Sequence, residues 1–250
     1  MNSPPPTLRE WLARAPFTLT LSSGFFGFFA HAGFAAALEQ EGLAPARVTG
    51  SSAGALVAGL WASGRDVEDL RQRLFELQKI DFWDPGWGAG LLKGDLFART
   101  LDELLGAETF AQCRWPVAIS VFELGRLRTR VVNAGPLNPA IRASCALPGL
   151  FHPVRVENRW AIDGGVLDRS GLAGAPRGAR VLYHHLGTRS KVRRHLRRLS
   201  DVPWRADMWP VVIDGLPRVG PNRLHRGPAA FAHARDATLR ALDAPTSEPR

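Results

Sequence analysis

The sequence predicts a three-layer α/β protein, and three observations predict it. Short β-rich runs alternate with Ala- or Leu-rich helical stretches along most of the 250 residues, the order of βαβ units rather than of segregated strands and helices. A strand, tight turn and helix occurs twice in succession near the N-terminus. With 45% hydrophobic and 22% charged residues, the chain carries enough apolar material for one sizeable core.

The elements follow in order. Residues 17–21 (FTLTL) are the first β-rich run, stopped by Ser22, Ser23 and Gly24. Residues 29–41 form an Ala-rich helix closed by Gly42 as C-cap. Residues 46–49 make a second strand, residues 50–54 (GSSAG) a turn, and residues 55–62 an apolar helix ended by Gly64. Residues 66–79 set Val67, Leu70, Leu74 and Leu77 on one helical face; residues 95–105 repeat that pattern with Asp95 as the expected N-cap. Residues 116–122 alternate Val117, Ile119 and Val121 and pair with residues 128–132 as a hairpin. Asn138 and Pro139 open a helix, Asn as cap and Pro in the first turn, which runs to Cys145 and breaks at Pro148-Gly149. Residues 159–162 and 180–186 are further strands, and residues 228–242 a terminal helix. Pro-rich ends read as frayed, so the expected organisation is a flexible tail over 1–16, one domain over 17–243 and a second tail over 244–250.

No run approaches the roughly 20 apolar residues that a membrane-spanning helix needs, and the N-terminus has no apolar leader segment. The two cysteines, Cys113 and Cys145, are too few for a disulfide framework or metal cage. A cytoplasmic setting without cofactor or metal is therefore expected. The net charge of +9 favours polyanions or anionic lipid. Much of it falls late, and residues 191–199 (KVRRHLRRL) place Val192, Leu196 and Leu199 at helical spacing among five basic residues. That segment is expected to touch anionic membrane surfaces through residues 191–198; an Arg-rich solvated surface is the plainer alternative. No nucleic-acid reader motif accompanies the charge, so no nucleic-acid partner is expected.

Gly50-Ser51-Ser52-Ala53-Gly54 satisfies G-x-S-x-G, the elbow that exposes a serine Oγ above a sheet on a sharp strand-to-helix turn. Alone this match is short, and small-residue turns are common. Here a β-type run precedes it and an apolar helix follows, so Ser52 is the candidate nucleophile. Ser51 would put Thr49 and Ala53 at the glycine positions. The loop Ser22-Ser23-Gly24-Phe25-Phe26-Gly27 sits where backbone amides can face the same crevice and stabilise an oxyanion. Asp163-Gly164-Gly165 is first a turn signal, but beside a serine elbow its carboxylate is a candidate proton acceptor.

The stretch ASCALPGLFHPV from Ala143 to Val154, followed by WAIDGG from Trp160 to Gly165, resembles the segment of the patatin-like phospholipases that leads into their catalytic Asp-Gly-Gly or Asp-Gly-Ala motif. Gly50 to Gly54 resembles the family's serine motif, and Ala30-His31-Ala32-Gly33 its helix after the glycine-rich loop. The likeness runs from about Leu19 to Val166. It implies a mixed, mostly parallel central sheet between helices, and a Ser52–Asp163 dyad without histidine. It also implies lipid acyl hydrolysis through an acyl-enzyme, with an oxyanion hole of Gly24, Phe25 and Ala53 supported by Gly27, Gly50, Gly54, Gly164 and Gly165. The loop departs from the family's Gly-Gly-Gly-x-Arg/Lys-Gly pattern: Ser22 and Ser23 replace glycines, Phe26 replaces the basic residue, and one residue is added before His31.

Two rival readings stay open at this level. A Ser–Asp–His triad fits the chain order through His184, His185, His195, His225 or His233, and a catalytically silent lipid-binding domain fits the altered loop. His31, on an Ala-rich helix, is expected to pack or to position the loop. Phospholipid, lysophospholipid, acylglycerol and thioester substrates are not separated.

Overall fold

A computed structural model describes residues 5–186 and 202–246. Its main sheet has eight strands in the order β10-β9-β1-β2-β4-β8-β7, with β5 also paired to β4. The half formed by β10 (Met208–Ile213), β9 (Val181–Leu186), β1 (Thr18–Leu21), β2 (Arg47–Ser51) and β4 (Val117–Glu123) is parallel throughout. Around β4 the sheet turns antiparallel, through β5 (Arg128–Val132), β8 (Arg159–Asp163) and β7 (Val154–Val156). The expected hairpin of β4 and β5 is present. A second small sheet joins β3 (Gly90–Leu92) to β6 (Gly149–Phe151).

The two faces of the parallel half differ because its strands alternate. Leu19, Leu21, Val48, Ile119, Leu182 and Val211 join one large core with Phe34, Leu38, Leu60 and Trp61. That core is supplied by α2 (Phe28–Gln40), α3 (Ala53–Ala62), α4 (Val67–Glu76), α6 (Leu137–Cys145) and α7 (Gly227–Leu242). The other face is more polar. Thr20 and Thr49 share a hydroxyl–hydroxyl bond of 2.9 Å, and Thr49 donates to the Gly171 carbonyl. Leu172 and Ala175 cover Val181, Tyr183 and Met208 there. Among the described residues this layer contains one-turn 3-10 segments, Gly164–Val166 and Leu172–Gly174, rather than long helices.

Four expectations are corrected. Residues 1–16 are not simply a tail, since Leu8–Arg14 form α1 with a complete Thr7–Glu10 capping box and bury Leu8 and Leu12. Nor do residues 244–246 fray: the Leu8 amide donates to Ala244 O, the Thr246 amide donates to Pro6 O, and Arg9 pairs with Asp243. Helix α5 (Asp95–Leu104) is capped not by Asp95 but by Asp84, whose carboxylate accepts the amides of Gly94, Asp95 and Leu96. A remote side chain thus does the work expected of the local one. Helix α6 starts at Leu137 rather than after Asn138, whose amide reaches Ala98 O. The basic segment 191–199 lies outside the described residues. Among the described residues no helix is long and apolar enough to cross a membrane.

Candidate active site

Register brings the two halves of the predicted dyad together. Ser51 at the end of β2 pairs with Ser120, and the next residue of β4, Val121, pairs with Asp163 at the end of β8. Asp163 therefore arrives at the level of Ser52. The Ser52 Oγ donates to Asp163 Oδ2 at 2.7 Å.

Ser52 sits at φ 53° and ψ −121°, a strained conformation for a residue with a Cβ and the mark of a nucleophile elbow. The turn is tight enough to require both flanking glycines. A Cβ on Gly50 would lie 2.5 Å from the Gly54 carbonyl, and one on Gly54 would lie 2.1 Å from Leu21 O. Ser51 has the strand parity of Thr49, is fully buried and points away from this turn, with its Oγ against Gly164. Only Ser52 is offered to the cavity.

The strain is held by residues to which sequence reading assigned no role. Ser144 Oγ accepts the Ser52 amide at 2.9 Å and donates to Ser120 O at 2.7 Å, while the Cys145 thiol reaches Ser52 O at 3.3 Å. The Asp163 amide donates to Ala146 O. The stretch from Ser144 to Ala146 is thus a clamp on both members of the dyad. Its sequence signal was the ASCALPG run itself, which marked importance without naming a job. Burial, and secondarily the Asp163 charge, pushes the Cys145 thiol well above its ordinary value, so it remains a neutral donor.

Asp163 is 4% exposed. Burial raises its carboxyl to about 6, against the opposing bonds from the Ser52 hydroxyl and the Gly165 amide, which donates to Oδ1 at 2.7 Å. A free aspartate, with a pKa of about 3.9, is a poor base for serine. Desolvation brings this one nearer the working range of a general base. Gly164 starts the 3-10 turn that carries Gly165.

The serines of the altered loop have partners that explain them. Ser22 uses its amide on His184 O, its hydroxyl oxygen on the Leu186 amide and its carbonyl on His31 Nε2. The Ser23 amide donates to Arg169 O. Because Ser22 O can only accept, His31 carries its proton on Nε2; its Nδ1 must then accept from His184 Nδ1 at 2.8 Å. Both rings are fully buried, which lowers His31 to about 4 and holds His184 well below its ordinary value. They are neutral groups buried beneath the loop, where His31 both packs and holds the Ser22 carbonyl. Gly27 closes the loop by donating to Gly24 O and leads into α2. The amides of Gly24, Phe25 and Ala53 have no protein acceptor among the described residues.

These groups meet at one cavity of about 580 Å³, lined by Gly24, Phe25, Ser52, Ala53, Asp163 and Gly165 together with the apolar Leu56, Leu74, Phe82, Phe97 and Leu104. No histidine lines it among the described residues. His184 is bound to His31, and His233 to Asp214 O. His195 lies outside the described residues. No cluster of His, Cys, Asp or Glu that could hold a metal ion occurs among the described residues.

Fold and site together place an elbow serine and a buried carboxylate beside a largely apolar cavity. The family model of the patatin-like phospholipases matches residues 19–175, and the chain belongs to that family. An uncharacterised NTE family protein of Mycobacterium tuberculosis is 32% identical over 153 residues, 60% of this chain and 42% of the relative. Neuropathy target esterase sws of Drosophila grimshawi is 26% identical over 67% of this chain and 12% of its own length. The matched region thus spans less than half of these relatives. Among solved structures, VipD from Legionella pneumophila superposes with a TM-score of 0.67 at 15% identity, over 91% of this chain and 67% of that one. ExoU from Pseudomonas aeruginosa gives 0.50 at 15% identity, over 92% and 53%. Both likenesses concern the fold.

Proposed function

We propose that the chain is a lipid acyl hydrolase in which Ser52 is the nucleophile and Asp163 the only side-chain base. The observation that carries this reading is the 2.7 Å bond from Ser52 Oγ to a buried, partly desolvated carboxylate at the mouth of an apolar cavity. Ser52 Oγ attacks the ester carbonyl carbon while its proton passes to Asp163. The carbonyl oxygen takes the negative charge and is met by the amides of Gly24, Phe25 and Ala53, the last at the positive end of α3. Collapse expels the alcohol, which leaves with the proton from Asp163, and the acyl chain remains on Ser52. Asp163 then takes a proton from water, hydroxide attacks the acyl carbon, and Ser52 regains its proton as the fatty acid departs.

The cavity favours an acyl chain over a polar acid, since most of its lining is leucine and phenylalanine or otherwise apolar. Support at the family level comes from the patatin-like match and from the esterase named among the relatives. A fluorophosphonate carrying a long alkyl chain tests the reading. It should label wild-type protein once per chain, at Ser52, and leave Ser52→Ala unlabelled. A silent lipid-binding domain would bind lipid and take no label.

A further inference from the structure

Resting on the reading of the cavity as an acyl site, we propose that its mouth is the face by which the protein lies on a phospholipid surface, with Arg169 set to meet a lipid phosphate. Four large apolar side chains stand exposed around this opening on three separate segments: Phe25 at 53%, Leu147 at 40%, Val166 at 43% and Leu167 at 60%. Phe25, Leu147 and Val166 line the cavity itself, and Leu167 is next in the chain. Exposed apolar groups gathered at one rim mark a contact surface rather than scatter.

Charge identifies the contact. Among the described residues, two that line the cavity carry a formal charge, Asp163 and Arg169. Asp163 is buried and bonded to Ser52. Next to Arg169, Asp168 is also buried and fully engaged by Ser120, Ser170, Gly171 and Ala173. Arg169 is exposed, and its guanidinium has no partner among the described residues. An apolar rim with a cation beside it matches the layered chemistry of a bilayer, acyl chains beneath phosphate. It also meets a need of the mechanism. An acyl chain leaving an aggregate can pass directly into the cavity without crossing water, so its apolar surface is never hydrated on the way.

The test uses the full-length chain in the Ser52→Ala background, so that lipid is not consumed, and sedimentation with large unilamellar vesicles of phosphatidylcholine, with or without phosphatidylglycerol. Leu167→Asp should lower partitioning about tenfold or more on both compositions. Leu167→Ser, a milder change at an exposed site, should give about threefold. Arg169→Gln should cost about fivefold on phosphatidylglycerol vesicles, the equivalent of about 1 kcal/mol per charge, and less at high salt. Trp204→Ser is the control. Trp204 is 67% exposed but precedes Met208, which pairs with Val181 at the start of β9, the opposite end of the strands from the cavity. Unchanged sedimentation of both Leu167 variants, or an equal loss with Trp204→Ser, overturns the proposal. With Ser52 intact, Leu167→Asp should still hydrolyse a soluble short-chain ester and take the fluorophosphonate. Loss of vesicle binding with that activity retained supports the surface. Absence of hydrolysis and label in the wild type would instead sink the acyl hydrolase reading.

Discussion

Two serine–aspartate hydrogen bonds flank β4, Ser52 to Asp163 at 2.7 Å and Ser120 to Asp168 at 2.6 Å. Length does not tell them apart; their surroundings do. Asp168 accepts from two hydroxyls and two backbone amides, those of Ser120, Ser170, Gly171 and Ala173, and is sealed under the polar face of the sheet. Among the described residues, Asp163 accepts only from Ser52 and Gly165, and it borders the cavity. A saturated carboxylate fixes a loop, whereas an under-bonded, desolvated one retains basicity for a proton.

The largest effects should separate the two pairs by activity. Ser52→Ala and Asp163→Asn are expected to lower kcat for a soluble ester by about ten-thousandfold or more, as loss of a nucleophile or its base does elsewhere. Ser120→Ala should leave kcat within about threefold in folded protein, and so should Ser51→Ala. Equal losses at Ser120 and Ser52, with circular dichroism unchanged, would mean that the pairs are not functionally distinct.

Much of this was legible in the residues. G-x-S-x-G and Asp-Gly-Gly carry their geometry locally, because a tight elbow needs small flanking residues and a strand-end turn needs glycine after the carboxylate. The three-layer α/β class followed from alternation of elements, and the mixed, mostly parallel sheet from the family resemblance. What stayed hidden depends on distant contacts. Asp84 caps a helix that begins eleven residues later, Ser144 bridges the elbow to β4, and Ser22 in a glycine position makes sense only with His31 and His184 beneath it. The N-terminal helix is a different case. Its capping box, Thr7 with Glu10, was in plain sight but masked by the neighbouring prolines. Asp168 and Arg169 lie three and four residues beyond the Asp-Gly-Gly motif; which of them is buried and which exposed is a property of the packed loop.

The next effect probes the struts under the oxyanion loop. His31→Leu removes the donor to Ser22 O and leaves His184 without its acceptor. We predict a fall in kcat of about ten- to a hundredfold, the range of a disturbed oxyanion donor, with KM nearly unchanged. His31→Gln should restore most of it, since its side-chain amide can donate to Ser22 O and its carbonyl can accept from His184. Equal damage from both variants would reduce His31 to a packing residue.

A smaller effect is set by pH. Asp163 must be ionised to accept the serine proton, and its carboxyl titrates at about 6. The rate kcat/KM on a soluble ester should be half-maximal near pH 6 and fall about tenfold per unit below it, in a range where acid unfolding is absent. A half-point near 4 would show that burial does not raise this group.

The smallest expected effect is on stability, and its sign opposes that on activity. An aspartate whose folded pKa is raised from 3.8 to about 6 binds a proton more readily in the folded chain than in the unfolded one. The contribution of this group to folded stability is therefore highest below about pH 4, declines between about 4 and 6, and at pH 7 is a cost of about 2–3 kcal/mol from the buried charge. Asp163→Asn removes that charge. Its carbonyl can still accept from Gly165, and its amide can donate to Ser52 Oγ. We expect it to raise stability at pH 7 to 8 by about 1–3 kcal/mol and to have little effect at pH 4, where Asp163 is itself neutral. Asp168→Asn faces four donors with one acceptor oxygen, so at least one buried donor loses its partner, at about 1–3 kcal/mol. Urea unfolding of both variants at pH 7.5 measures the pair directly. Stabilisation by Asp163→Asn with destabilisation by Asp168→Asn would separate a carboxylate retained for chemistry from one retained for structure; destabilisation by both would assign Asp163, too, a mainly structural role.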